Sequence, residues 1–100
     1  MDRKMTERAP KVRARLVISG WVQGVYFRAS ARQMARARGL SGWVRNRTDG
    51  AVETVVEGDQ EAVQAFIAWC QQGPPGARVS DVQVTMEPYA AESQGFRIVG

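Results

Sequence analysis

Alternation of apolar and polar positions divides the chain into elements. Val12, Ala14, Leu16 and Ile18 alternate with Arg13, Arg15, Val17 and Ser19, the period-two pattern of a half-buried strand. Gly20 and Gly24 bracket a break. From about Tyr26 the period becomes helical, with Phe27, Ala31, Met34 and Ala35 on one face and Arg32, Gln33 and Arg36 on the other. Gly39 supplies a left-handed stop. A short strand follows over residues 41–47, then Asp49-Gly50, a hairpin turn signal, and a valine-rich return strand over residues 51–57. Gly58-Asp59 opens a second helix with Val63, Phe66, Ile67 and Cys70 on one stripe, and Gly73-Pro74-Pro75-Gly76 ends it. Val82, Val84 and Met86 alternate in a fourth strand stopped by Pro88, and Phe96 and Ile98 in a short fifth.

This β-α-β-β-α-β order with a last short strand predicts an α+β fold of the ferredoxin-like, split β-α-β kind. Its expected form is an antiparallel sheet with two helices on one face. The expected organisation is a flexible basic tail over residues 1–10 and one domain over residues 11–100. Cys70, Trp43 and Trp69 are expected in the core or at its edge, and Arg32, Arg36 and Arg38 on a solvated helix face.

Composition narrows the chemistry. The 100 residues contain no histidine and a single cysteine, so His- or Cys-based metal sites and Ser-His-Asp or Cys-His catalysis are excluded. The net charge of +4 is carried by the first fifteen residues, where six basic side chains face Asp2 and Glu7; the remainder balances. That basic segment has no interleaved aromatics and reads as a solvated tail rather than a nucleic-acid arm. No apolar run approaches the length that spans a bilayer, and no secretory leader opens the chain, so a cytoplasmic location is expected.

Gly20-Trp21-Val22-Gln23-Gly24-Val25-Tyr26-Phe27-Arg28 lies between a strand and a helix N-terminus. Such a junction presents unpaired backbone N–H groups in a positive potential, and glycine lets the backbone curl so that they converge on an anion. Arg28 adds a permanent planar cation. An ordinary strand-to-helix turn with an exposed arginine fits the same residues. Asn46, eighteen residues after Arg28, has two readings of its own. Beside Asp49-Gly50 it reads as turn chemistry, yet its neutral amide also suits the orientation of a water molecule.

These segments carry a resemblance. Gly20-x-Val22-Gln23-Gly24-Val25-x-Phe27-Arg28, followed by Gly42-Trp43-Val44-x-Asn46-x-x-Asp49-Gly50-x-Val52, resembles both signature stretches of the acylphosphatase family. The likeness extends over about residues 12–99. It implies that Arg28 binds the substrate phosphate and that Asn46 positions the attacking water. It also implies that the backbone from Gln23 through Gly24, Val25 and Tyr26 to Phe27 cradles the phosphate. Trp21 stands where many relatives carry a basic residue, and Arg47 where relatives often carry Thr or an apolar residue.

The implied reaction is metal-independent hydrolysis of an acyl phosphate to a carboxylate and inorganic phosphate, with no cofactor. The implied partners are a small-molecule acyl phosphate and inorganic phosphate, or a similar oxyanion, as product or inhibitor. A monomer with no membrane association is expected. An RNA-binding module with the same element order is the main rival. It needs aromatics on its third strand, where this chain has Ala51-Val52-Glu53-Thr54-Val55-Val56-Glu57. A non-catalytic regulatory domain is the third reading, opposed by the presence of both Arg28 and Asn46.

Overall fold

The computed structural model describes residues 10–100; the expected tail over residues 1–10 thus lies almost wholly outside the described residues. The elements are β1 (Lys11–Trp21), α1 (Phe27–Ala37), β2 (Ser41–Asn46), β3 (Val52–Asp59), α2 (Gln60–Cys70), β4 (Arg78–Glu87) and β5 (Phe96–Ile98). They form one five-stranded sheet in the order β4-β1-β3-β2-β5. Four strands are antiparallel neighbours, as the sequence predicts. The expectation of a wholly antiparallel sheet needs correcting, because β5 runs parallel to β2. The reason is geometric. β4 is antiparallel to β2 across the sheet, and a chain that turns back after β4 to reach the far edge must run in the direction of β2.

The alternation in β1 sorts the two faces of the sheet. Ala14, Leu16 and Ile18 are fully buried with Val44, Val52, Val56 and Phe96 from the other strands. Phe27, Ala31 and Ala35 of α1 and Val63, Phe66 and Cys70 of α2 close over them in a single core. Each fully buried Leu, Ile or Phe contributes roughly 1.5–3 kcal/mol by leaving water. Trp69 packs at the edge of this core, its ring 5.3 Å from Phe27 and 6.2 Å from Phe66. Burial pushes the Cys70 thiol well above its ordinary value, which leaves it an inert filler. α1 packs over β2 and β5, and α2 over β1 and β3, so β4 lies beyond the helices. Val84 and Met86 therefore stand exposed despite their alternation.

The opposite face carries an ionic lattice. Arg13 donates to Glu57 and Glu87, each at 2.8 Å, and lies 3.1 Å from Glu92. Arg15 donates to Glu53 at 2.6 Å and Glu87 at 3.0 Å, and Arg45 donates to Glu53 at 2.7 Å. Burial pushes the Glu53 and Glu57 carboxyls up, but hydrogen bonds from their arginines outweigh it and hold both below the ordinary value. Trp43 belongs to this face, with the Arg15 and Arg45 guanidinium carbons each 5.9 Å from its ring centroid. It is half-buried there, outside the helix-covered core. Arg36, expected to be merely solvated, donates to the Phe96 carbonyl at 3.1 Å and so ties α1 to β5.

A cradle at the start of the first helix

Two buried anchors define the loop between β1 and α1. Val22 is 1% exposed and Phe27 2%, so the chain is pinned in the core at both ends while residues 23–26 stay near the surface. Just before Val22 a register shift between Ser19 and Gly20 bends the strand. A Cβ at Gly20 would lie 2.2 Å from the Arg78 carbonyl oxygen, so only glycine permits that approach.

The loop backbone is unusual. Gly24 (φ 77°) and Tyr26 (φ 64°) are left-handed, and Val25 between them is not. Alternating handedness turns successive N–H groups to the same side, which is the geometry of an anion-binding nest. Glycine adopts this readily; tyrosine does so at an energetic penalty, and such residues gather at functional sites. The first helical hydrogen bond runs from the Ser30 N–H to the Tyr26 carbonyl. The N–H groups of Phe27, Arg28 and Ala29 therefore have no partner within the helix. No acidic residue occupies the first turn of α1 to cancel the positive potential there. The helix thus begins as an electropositive, donor-rich end.

A cleft of about 370 Å³ opens beside this end, lined by Val22, Gly24, Tyr26, Phe27, Arg28, Ala29, Asn46 and Ile98. It brings together five of the seven site residues expected from the sequence: Gly24, Tyr26, Phe27, Arg28 and Asn46. Val25 turns instead toward the core, where it packs as a partly buried side chain. Gln23 also lies off the cleft, its side chain engaged with the β2–β3 hairpin. Trp21, 69% exposed at the end of β1, does not line the cleft. Val22, Ala29 and Ile98 were not singled out by the sequence. They are apolar walls without a chemical signature, and only the parallel placement of β5 brings Ile98 here.

Arg28 is exposed, and no carboxylate among the described residues pairs with it. Asn46 ends β2 on the helix-covered side of the sheet, paired with Val52. Its Oδ1 is buried and accepts no hydrogen bond from the described residues. The alternative of turn chemistry falls to a neighbour. Asp49 accepts from the Ala51 N–H at 3.1 Å and from Arg47 at 2.9 Å, and these contacts, Arg47 first, hold its carboxyl below the ordinary value. The turn is built by Asp49, which leaves Asn46 with no duty to it. A buried acceptor without a donor costs about 1–3 kcal/mol; of the two such side-chain atoms among the described residues, Asn46 Oδ1 and Glu57 Oε1, it is Asn46 that lines the cleft.

Among the described residues no group of three His, Cys, Asp or Glu side chains is arranged to hold a metal ion, and no helix is long and apolar enough to cross a membrane. The available chemistry is oxyanion binding by backbone N–H groups and a guanidinium, next to an unpartnered amide.

Known proteins resemble this chain in sequence and in fold. The sequence model of the acylphosphatase family matches residues 14–98. An acylphosphatase of Pelotomaculum thermopropionicum is 56% identical over 88 residues, which cover 88% of this chain and 96% of the relative. One of Aeropyrum pernix is 57% identical over 88 residues, covering 87% of each chain. The crystal structure of acylphosphatase from Bacillus subtilis superposes with a TM-score of 0.85 at 38% identity, over 89% of this chain and 99% of that one. Together with the cradle and its two unpartnered side chains, these likenesses place the chain in the acylphosphatase family.

Proposed function

We propose that the chain hydrolyses acyl phosphates at the α1 cradle without a metal ion. The loop from Gln23 to Phe27 and the Arg28 guanidinium hold the phosphate, and Asn46 positions the water. The observation that carries this reading is that Arg28, which no described carboxylate pairs with, and Asn46, whose buried Oδ1 meets no donor among the described residues, line one cleft at a donor-rich helix start.

The chemistry suits a site without histidine. Water oxygen bonds to phosphorus while the bond from phosphorus to the acyl oxygen breaks, and the carboxylate leaves with the electron pair. The conjugate acid of that leaving group has a pKa of ~4, so no general acid is needed at neutral pH. Phosphoryl transfer through a loose transition state requires alignment and charge stabilisation more than a strong base. Arg28 and the backbone N–H groups supply the second, and Asn46 supplies the first. An amide orients water but does not take its proton, which passes to a phosphate oxygen of the substrate. Inorganic phosphate, the product, fits the same cradle and acts as a competitive inhibitor. The chain works as a cytoplasmic monomer, consistent with an ionic lattice that pairs the arginines of the sheet's open face within the chain.

Hydrolysis of acetyl phosphate and benzoyl phosphate with and without excess EDTA tests the reading. Turnover unchanged by the chelator is expected. Absence of turnover on both substrates would overturn the assignment, and loss on chelation would overturn its metal-free form.

A further inference from the structure

The Gln23 side chain does something the sequence does not announce. Its Nε2 donates to the Arg47 carbonyl at 2.7 Å and to the Ala51 carbonyl at 3.0 Å, across separations of 24 and 28 residues. Those carbonyls form the neck of the β2–β3 hairpin, immediately after Asn46. One amide thereby uses both its protons to join the phosphate loop to the strand that bears the proposed water-orienting residue.

Neither part needs this link in order to form. The hairpin closes by itself: the Arg47 N–H donates to the Ala51 carbonyl at 2.8 Å, the Gly50 N–H to the Arg47 carbonyl at 3.3 Å, and the Ala51 N–H to Asp49. The loop is likewise anchored by buried Val22 and Phe27 at its two ends. What the two bonds add is the placement of one piece relative to the other. β1 and β2 are not neighbours, since β3 lies between them in the sheet. Without Gln23, the spacing from cradle to Asn46 depends on packing through β3 and α1.

We infer that Gln23 is a positioning residue: its side-chain amide fixes the phosphate loop against the hairpin neck, so that Asn46 addresses the bound phosphoryl group at a set distance. The inference rests on the roles proposed above for the cradle and Asn46. Alignment of a nucleophile is sensitive to small displacements, and about 1 Å of misplacement can lower turnover by roughly a hundredfold. Binding of the phosphate ion depends on the cradle alone and does not share that sensitivity.

The test uses the full chain with Gln23→Met, which keeps the side-chain length and removes both donors. Its kcat on benzoyl phosphate is expected to fall roughly ten- to a hundredfold, while the inhibition constant of inorganic phosphate stays within about twofold. In an Asn46→Ala background the same change is expected to add little, because it acts through Asn46. Gln23→Glu adds a pH signature. As a carboxylate it offers no proton to the two carbonyls; protonated, it donates to one of them. Its kcat relative to wild type should therefore rise as pH is lowered from about 7 to 5. A kcat within twofold of wild type in folded Gln23→Met, or an equal loss in both backgrounds, would overturn the inference. Should Gln23→Met fail to fold, the Gln23→Glu profile decides, and a profile parallel to wild type overturns it. Wild-type turnover in Asn46→Ala, by contrast, would overturn the reading of the site on which the tether depends.

Discussion

Arginine occupies two contrasting settings in this molecule. On the open face of the sheet, Arg13 and Arg15 lie between carboxylates on neighbouring strands and Arg45 pairs with Glu53, so their charge is met by Glu53, Glu57 and Glu87. At the start of α1, Arg28 has the same guanidinium and no such partner among the described residues. The amides differ in the same way. Gln23 spends both its protons on backbone carbonyls, whereas Asn46 buries an oxygen that meets no donor among the described residues. Groups satisfied inside the fold hold the fold together. Arg28 and the Asn46 oxygen, left unpaired beside the cleft, are available to a substrate, and the contrast predicts opposite responses to mutation.

The largest effect is expected at Arg28. A cation facing a phosphate acts on both ground state and transition state, so Arg28→Ala should lower kcat/KM by about three orders of magnitude, ~4 kcal/mol, and weaken phosphate inhibition. Its Tm should stay near wild type, because an exposed, unpaired side chain adds little to stability. A lysine should rescue only in part, since it lacks the planar fork.

Asn46→Ala sharpens the comparison. Turnover should fall by about two to three orders of magnitude while phosphate inhibition barely changes. Stability should hold or rise, because the substitution removes a buried acceptor that lacks a donor. A drop of about 1 kcal/mol with normal turnover of the folded fraction would instead return Asn46 to a purely structural role.

Arg13→Met should reverse the signature. Removing Arg13 leaves Glu57, whose side chain is 2% exposed, without its main cation. A loss of about 3 kcal/mol is expected, which corresponds to a fall in Tm of roughly 10–20 °C. The kcat of the folded fraction, measured well below that Tm, should match wild type.

Acid should loosen the lattice before it touches the cradle. Glu53, Glu57 and Glu87 all have folded values below the unfolded 4.5, Glu87 through its hydrogen bonds to Arg13 and Arg15. Depressed carboxyls contribute stability above their unfolded value and lose it as pH falls through the folded one. With no histidine in the chain, Tm should be level from pH 8 to about 5 and decline below about 4.5. A decline between pH 8 and 6 would contradict this assignment.

Turn chemistry and periodicity made most elements readable before any coordinates. Asp49-Gly50 and the alternation in β1 act locally, and the structure follows them. The placement of Arg28 in the first turn of α1 is readable for the same reason, since a helix start after a glycine loop declares itself within a few residues. What was hidden depends on partners far away in sequence. The alternating charges of β1 and β3 do not reveal that Arg13 meets Glu57 and Glu87, nor does Gln23 name Arg47 and Ala51. Apolar alternation in β4 also misled, because no pattern within a strand says whether a helix will reach it. The parallel sense of β5 follows from the path of the whole chain rather than from its own three residues.

The interior place of β1, between β3 and β4, bears on how the molecule is made. It is the first strand to be synthesised, yet its neighbours lie far downstream: Arg13 bonds Glu57 after 44 residues and Glu87 after 74. Ordering such long loops precedes any gain from strand pairing, which places folding in the slower, millisecond-to-second range of small domains. On the ribosome, an apolar-faced β1 must wait until residues 78–87 have emerged before its second edge is covered by β4. The strand that leads into the cradle is thus written well before either of its neighbours, and during that interval its open edges are exposed to pairing with the wrong chain.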